Sequence, residues 1–68
     1  MSYLKRMLEE RHMTQAELAI RTGVTEASIS RYCNGQRKIS IDKAFDMAVA
    51  LGIDVGEFVE GILNQNED

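Results

Sequence analysis

Apolar residues recur along this chain at helical spacing and nowhere alternate with polar ones at a period of two, so the pattern predicts helices and no strands. Leu4, Met7 and Leu8 form the apolar stripe of a first helix from Tyr3 to about Arg11, with His12 at its end as a C-terminal cap or a solvated side chain. Thr14 and Glu17 are spaced as a capping box opening a second helix, with Leu18, Ala19 and Ile20 inward and Gly23 as its stop. Thr25 caps a third helix running to Cys33, with Ile29 and Tyr32 inward and Asn34-Gly35 ending it. Ser40 caps a fourth, whose buried face is read as Ala44, Phe45, Met47, Ala48 and Leu51, closed by Gly52. Asp54 and Glu57 form a second capping box for a fifth helix carrying Val55, Phe58, Val59, Ile62 and Leu63. The expectation is one domain over residues 1–63 and a frayed acidic tail over 64–68.

Within this series Ala19, Gly23 and Ile29 stand at offsets of four and ten. Two helices that cross steeply need a small residue at the crossing, a turn that tolerates a left-handed backbone, and a bulky aliphatic anchoring the second helix. Ala19, Gly23 and Ile29 meet those needs in order, with Leu18, Val24 and Tyr32 as flanking apolar positions.

The stretch TQAELAIRTGVTEASISRYCNG and the following SIDKAFDMAVALGID resemble the helix-turn-helix proteins of lambda repressor and Cro type, the XRE family, from about Leu4 to Phe58. The resemblance implies an all-α, five-helix lambda-repressor-like DNA-binding domain whose third helix lies in the major groove. Carried over by position, it implies base contacts from Glu26, Ala27, Ser30 and Arg31, and phosphate contacts from Gln15, Thr25, Ser28, Asn34, Arg37 and Lys38. Relatives commonly pair an arginine on the first helix with a glutamate before the loop glycine. This chain has Leu8 and Cys33 there, apolar on both sides, a double replacement that costs far less than losing one partner. The family's usual proline after the loop is replaced by Ile39, which predicts a more mobile loop around Gln36.

Charge complicates this picture, because the 68 residues carry a net charge of −3. The deficit is local. Lys5, Arg6 and Arg11 cancel Glu9, Glu10 and Glu17, whereas Arg21, Arg31, Arg37, Lys38 and Lys43 outweigh Glu26 and Asp42. Every formal charge after Lys43 is negative. Over a Debye length of about 8 to 10 Å, DNA feels the basic middle rather than the total.

The remaining composition narrows the function further. One cysteine, Cys33, and one histidine, His12, cannot build a disulfide or a Cys/His metal cluster, so neither metal nor cofactor is expected. His12 has no nucleophile and acid arranged around it, and so short a chain seldom encloses a catalytic pocket. Lys5, Arg6, Glu9 and Glu10 interrupt the N-terminus, leaving no signal peptide or spanning segment, which predicts a cytoplasmic protein. The reading is a transcriptional regulator, a repressor acting by occupancy of a double-stranded DNA operator, and Leu63 points to a homodimer through the C-terminal helix. The alternative is an antitoxin-like or adaptor module that binds a protein partner through its acidic C-terminal half.

Overall fold

The computed structural model describes residues 2–67. Among them the chain forms five helices and no strand: α1 Tyr3–Glu10, α2 Gln15–Thr22, α3 Glu26–Cys33, α4 Ile41–Leu51 and α5 Val55–Glu67. Hydroxyl caps start the first four. Ser2, Thr14, Thr25 and Ser40 each accept from the backbone N–H three residues on, satisfying a donor that the first helical turn leaves without a partner. At Thr14 the box closes, with the Glu17 carboxylate accepting the Thr14 N–H at 3.2 Å. At Asp54 half of it forms: the carboxylate accepts from Glu57 N–H at 3.0 Å, and among the described residues no return bond is made.

Left-handed residues end the same four helices. Gly23, at φ 75°, donates its N–H to Ala19 O at 2.9 Å and turns the chain sharply into α3. The end of α1 uses the same geometry without a glycine. His12 sits at φ 53°, its N–H bonding Glu9 O while Met13 N–H bonds Leu8 O, a Schellman closure. A Cβ is disfavoured there, so His12→Gly is expected to stabilise the fold by about 1 kcal/mol, read as a higher urea midpoint at unchanged slope.

The core joins all five elements. Leu4 and Leu8 of α1, Leu18 of α2, Ile29, Tyr32 and Cys33 of α3, Ala44, Met47, Ala48 and Leu51 of α4, and Phe58 and Ile62 of α5 are buried in one cluster with Val24, Ile39 and Ile53. Leu8 and Cys33 both lie in it as apolar core residues. Arg11 adds a long-range tie, its Nε donating to Leu51 O at 3.0 Å and capping the end of α4. Tyr3 stacks tilted on Phe58, with ring centroids 5.6 Å apart. Gly61 makes room for that ring: a Cβ there would overlap the Tyr3 ring carbons.

Three expectations need correction. Phe45 is 52 % exposed rather than buried, because Ala44, Met47, Ala48 and Leu51 already complete the inner face and Phe45 lies a further ~100° round the helix. Ile20, two residues and ~200° beyond Leu18, points outward and is 83 % exposed. The expected frayed tail is helical through Glu67, Asp68 lying outside the described residues. Its order has a cause in two amides. Gln65 Oε1 accepts from Leu4 N–H at 2.9 Å and its Nε2 donates to Tyr32 O at 3.0 Å, while Asn66 pairs with both backbone groups of Ile39.

Candidate nucleic-acid interface

The third helix is short, capped and held from behind. Ile29, Tyr32 and Cys33 fix its inner side in the core, and α2 packs against it. A side chain ~100° per residue from its neighbour then has a determined place. Ala27 and Arg31, spaced i and i+4, share the outer face with Ser30 and Asn34. Ala27, Arg31 and Asn34 are exposed and Ser30 half-buried. Among the described residues the Arg31 guanidinium has no carboxylate within 4 Å and no hydrogen-bond partner, so all its donors face solvent.

Glu26 lies at the edge of that stripe, one turn before Ser30. It opens α3 at the corner with α2, lining a shallow groove with Ala16, Ala19, Ile20 and Thr25. The exposed Ile20 beside it is an apolar contact that the sequence reading turned inward. Its angular distance from Leu18 is the signal that could have found it.

Ser28 lies on the opposite flank and collects two of the expected phosphate residues. Thr25 Oγ1 accepts from Ser28 N–H at 3.2 Å and donates to Ser28 Oγ at 3.0 Å, while Arg37 Nη1 approaches the same Oγ at 3.5 Å. Thr25 is thereby committed to capping its own helix. The Ser28 oxygen is approached from both sides, by Thr25 Oγ1 and by Arg37 Nη1. Arg37 and Lys38 are exposed on the loop between α3 and α4, and Gln15 is half-buried at the first position of α2. The structure thus groups Ala27, Ser30, Arg31 and Asn34 on one face, and Thr25, Ser28 and Arg37 in one network. It links Gln15, Lys38 and Glu26 to neither by a side-chain hydrogen bond among the described residues.

The electrostatics follow from pairing. The ion pair among the described residues is Arg11 with Glu10 at 3.8 Å, a weak contact at the surface. Arg21, Arg31, Arg37, Lys38 and Lys43 are all exposed and none has a described carboxylate within that distance. Cations not neutralised by a carboxylate of the same chain can neutralise an external polyanion.

Cys33, behind this face, is buried. Burial pushes its thiol above the ordinary cysteine value, with Lys5 opposing weakly. A raised folded-state pKa favours the neutral thiol, so its contribution to stability is complete below the ordinary value and is lost as pH rises through the folded one. The expected result is that iodoacetamide leaves Cys33 unmodified in the native protein at pH 8 and reacts fast in urea, a contrast checked by mass spectrometry.

No helix among the described residues is long and apolar enough to cross a membrane. No curated protein and no solved structure matches the chain significantly. The family model described as Helix-turn-helix matches residues 4–58, the span that holds the capped pair α2 and α3 and the helices packed behind them. With that match over most of its length, the chain belongs to the helix-turn-helix proteins of lambda repressor and Cro type, the XRE family of DNA-binding regulators.

Proposed function

We propose that the chain is a sequence-specific binder of double-stranded DNA that represses transcription in the cytoplasm by occupying its operator as a homodimer. The observation that carries this is the outer face of α3: Ala27, Ser30 and Arg31, on a helix fixed from behind, beside exposed cations that, like Arg31, have no carboxylate partner among the described residues. In the major groove Arg31 donates two hydrogen bonds to guanine O6 and N7, Ala27 offers its methyl to thymine, Ser30 bonds either kind of base, and Glu26 accepts from cytosine N4 at the corner. Ser28, Arg37, Lys38, Gln15, Thr25 and Asn34 meet phosphates and set the register. Ser28 is the better hydroxyl donor of the two at the helix start, because Thr25 is already used in capping. An anisotropy titration of duplex DNA at rising salt tests the reading. The expected affinity falls with a log–log slope of about −0.9 for each phosphate neutralised; absence of binding at low salt would contradict it.

Pairing of two subunits would place two third helices about 34 to 36 Å apart, one helical turn of DNA. The C-terminal helix is the proposed contact, with Leu63, 44 % exposed, beside half-buried Val59. Leu63→Glu is then expected to give monomers in sedimentation and to weaken binding to an inverted repeat, while binding to a single half-site is kept.

A second reading has its own observation. On α4, Ile41, Phe45 and Val49 are exposed at i, i+4 and i+8, beside Asp42 and Asp46. An apolar stripe with acidic neighbours suits a basic amphipathic protein partner, as an adaptor or antitoxin-like module would need. Phe45→Glu separates the readings, since it should abolish capture of such a partner and leave duplex binding unchanged.

A further inference from the structure

We propose that Asn66, assisted by Gln65, is a positioning residue for the DNA grip: the last turn of α5 holds the loop that carries Arg37 and Lys38 in its binding conformation. The inference rests on the DNA-binding reading above. It concerns residues beyond 4–58, the span matched by the family model.

The connection from α3 to α4 is short on internal support. Asn34, Gly35, Gln36, Arg37 and Lys38 are all exposed, and their backbone is tied to the end of α3 by Asn34 N–H to Ser30 O, Gly35 N–H to Tyr32 O and Gln36 N–H to Arg31 O. Beyond Gln36 two anchors remain among the described residues. Arg37 leans on Ser28 at 3.5 Å, a long contact between exposed side chains that adds little rigidity. Ile39 is fixed far better. Its N–H donates to Asn66 Oδ1 at 3.0 Å and its carbonyl accepts from Asn66 Nδ2 at 2.9 Å, so one side-chain amide matches both backbone groups as a neighbouring strand would. Burial of the Ile39 side chain completes the anchor.

Asn66 is itself held. The adjacent Gln65 accepts from Leu4 N–H at the start of α1 and donates to Tyr32 O at the end of α3. Four hydrogen bonds from two consecutive amides thus sew the end of α5 to the start of α1, the end of α3 and the loop. Arg37 and Lys38 lie one and two residues before Ile39, so the position from which they reach phosphates follows the Ile39 backbone. Charged side chains on a fixed loop lose less conformational freedom on binding than the same side chains on a loose one.

The test compares the wild type, Asn66→Ala, the doubly neutralised Arg37→Ala/Lys38→Ala and the triple variant, all as full chains. The probe is a random-sequence DNA duplex, whose binding depends on phosphates, titrated by anisotropy at several salt concentrations. Amide hydrogen exchange read by NMR follows the Ile39 N–H. The inference predicts faster exchange at Ile39 in Asn66→Ala with the core amides of α3 still protected. It predicts binding weakened about five- to tenfold and a salt slope shallower by about one to two, the loss of one or two phosphate contacts. In the doubly neutralised background, Asn66→Ala should change binding no further. Equal weakening in both backgrounds, or an unchanged slope, overturns the inference. Should Asn66→Ala unfold, Asn66→Ser removes the paired amide without adding charge; it is expected to show faster exchange at Ile39 and a shallower slope than the wild type, and wild-type behaviour from it overturns the inference. A wild type that binds no duplex overturns the DNA-binding reading itself, whereas wild-type binding with an unaffected slope in the variant overturns this inference alone.

Discussion

Phe58→Ala is expected to remove about 3 to 5 kcal/mol of the protein's stability and to lower its melting temperature by tens of degrees. Phe58 is fully buried, stacked on Tyr3 from α1 and enclosed by the cluster that all five helices share. Removing a buried phenyl ring costs about 3 to 5 kcal/mol in lost transfer energy and residual cavity. A domain of 68 residues holds only about 3 to 10 kcal/mol in total, at roughly 0.05 to 0.15 kcal/mol per residue. The substitution therefore removes a third or more of the stability, and thermal melting should move down by tens of degrees, at about 4 to 8 °C per kcal/mol. Leu63→Ala, on the same helix but exposed, should change the monomer's stability by less than about 0.5 kcal/mol. Equal effects from the two would mean that α5 does not close the core as described.

The second large effect concerns DNA rather than folding, and it separates two chemistries. Arg31→Ala is expected to relax selectivity at one base pair of the site, costing roughly 1 to 3 kcal/mol there, since a bidentate contact to guanine is lost. Lys38→Ala should weaken all sequences alike and reduce the salt slope by about 1, since a phosphate contact carries no sequence information. Neither side chain is packed in the core, so both variants should melt near the wild type. A change of base preference from Lys38→Ala, with none from Arg31→Ala, would exchange the roles assigned to helix and loop.

The parts of this fold that were legible in the sequence are those whose cause is local. Thr14, Thr25 and Ser40 announce helix starts because a hydroxyl at that position answers an N–H three residues on, and Gly23 and Gly52 announce ends because the backbone turns left-handed there. The offsets of Ala19, Gly23 and Ile29 carry the helix pair for the same reason. What was misread has two causes: angular position on the helix for Ile20 and Phe45, and partners distant in the chain for the C-terminal residues. Phe45 looks like core by composition and lies outside because Ala44, Met47 and Ala48 occupy the contact face first. Gln65 and Asn66 look like a polar tail, and only the approach of Leu4, Tyr32 and Ile39 turns their amides into fasteners. Ile39 follows the same logic. Its appearance in place of proline suggests a looser loop, yet the N–H that proline lacks is the group Asn66 holds.

The site divides along a similar line. That α3 presents Ala27, Ser30 and Arg31 outward follows from helical spacing once Ile29 and Tyr32 are placed inward. The link from Thr25 through Ser28 to Arg37 joins a helix start to a loop nine residues later, and spacing alone does not show it. The net charge is equally uninformative until it is distributed. Two acidic residues of α5, Glu57 and Glu60, line the groove against Tyr3 and Arg6 of α1, while the exposed cations of α3 and the following loop have no described carboxylate beside them.

Sequence-specific recognition by the α3 face is tested most directly by selecting from a random pool of duplex DNA with the purified protein at moderate salt and sequencing what is retained. The predicted result is an enriched inverted repeat with half-sites about one helical turn apart, containing a guanine whose enrichment disappears with Arg31→Ala. A retained pool with no enriched sequence would contradict the account, and would move the weight to the apolar, acid-flanked face of α4 as the working surface.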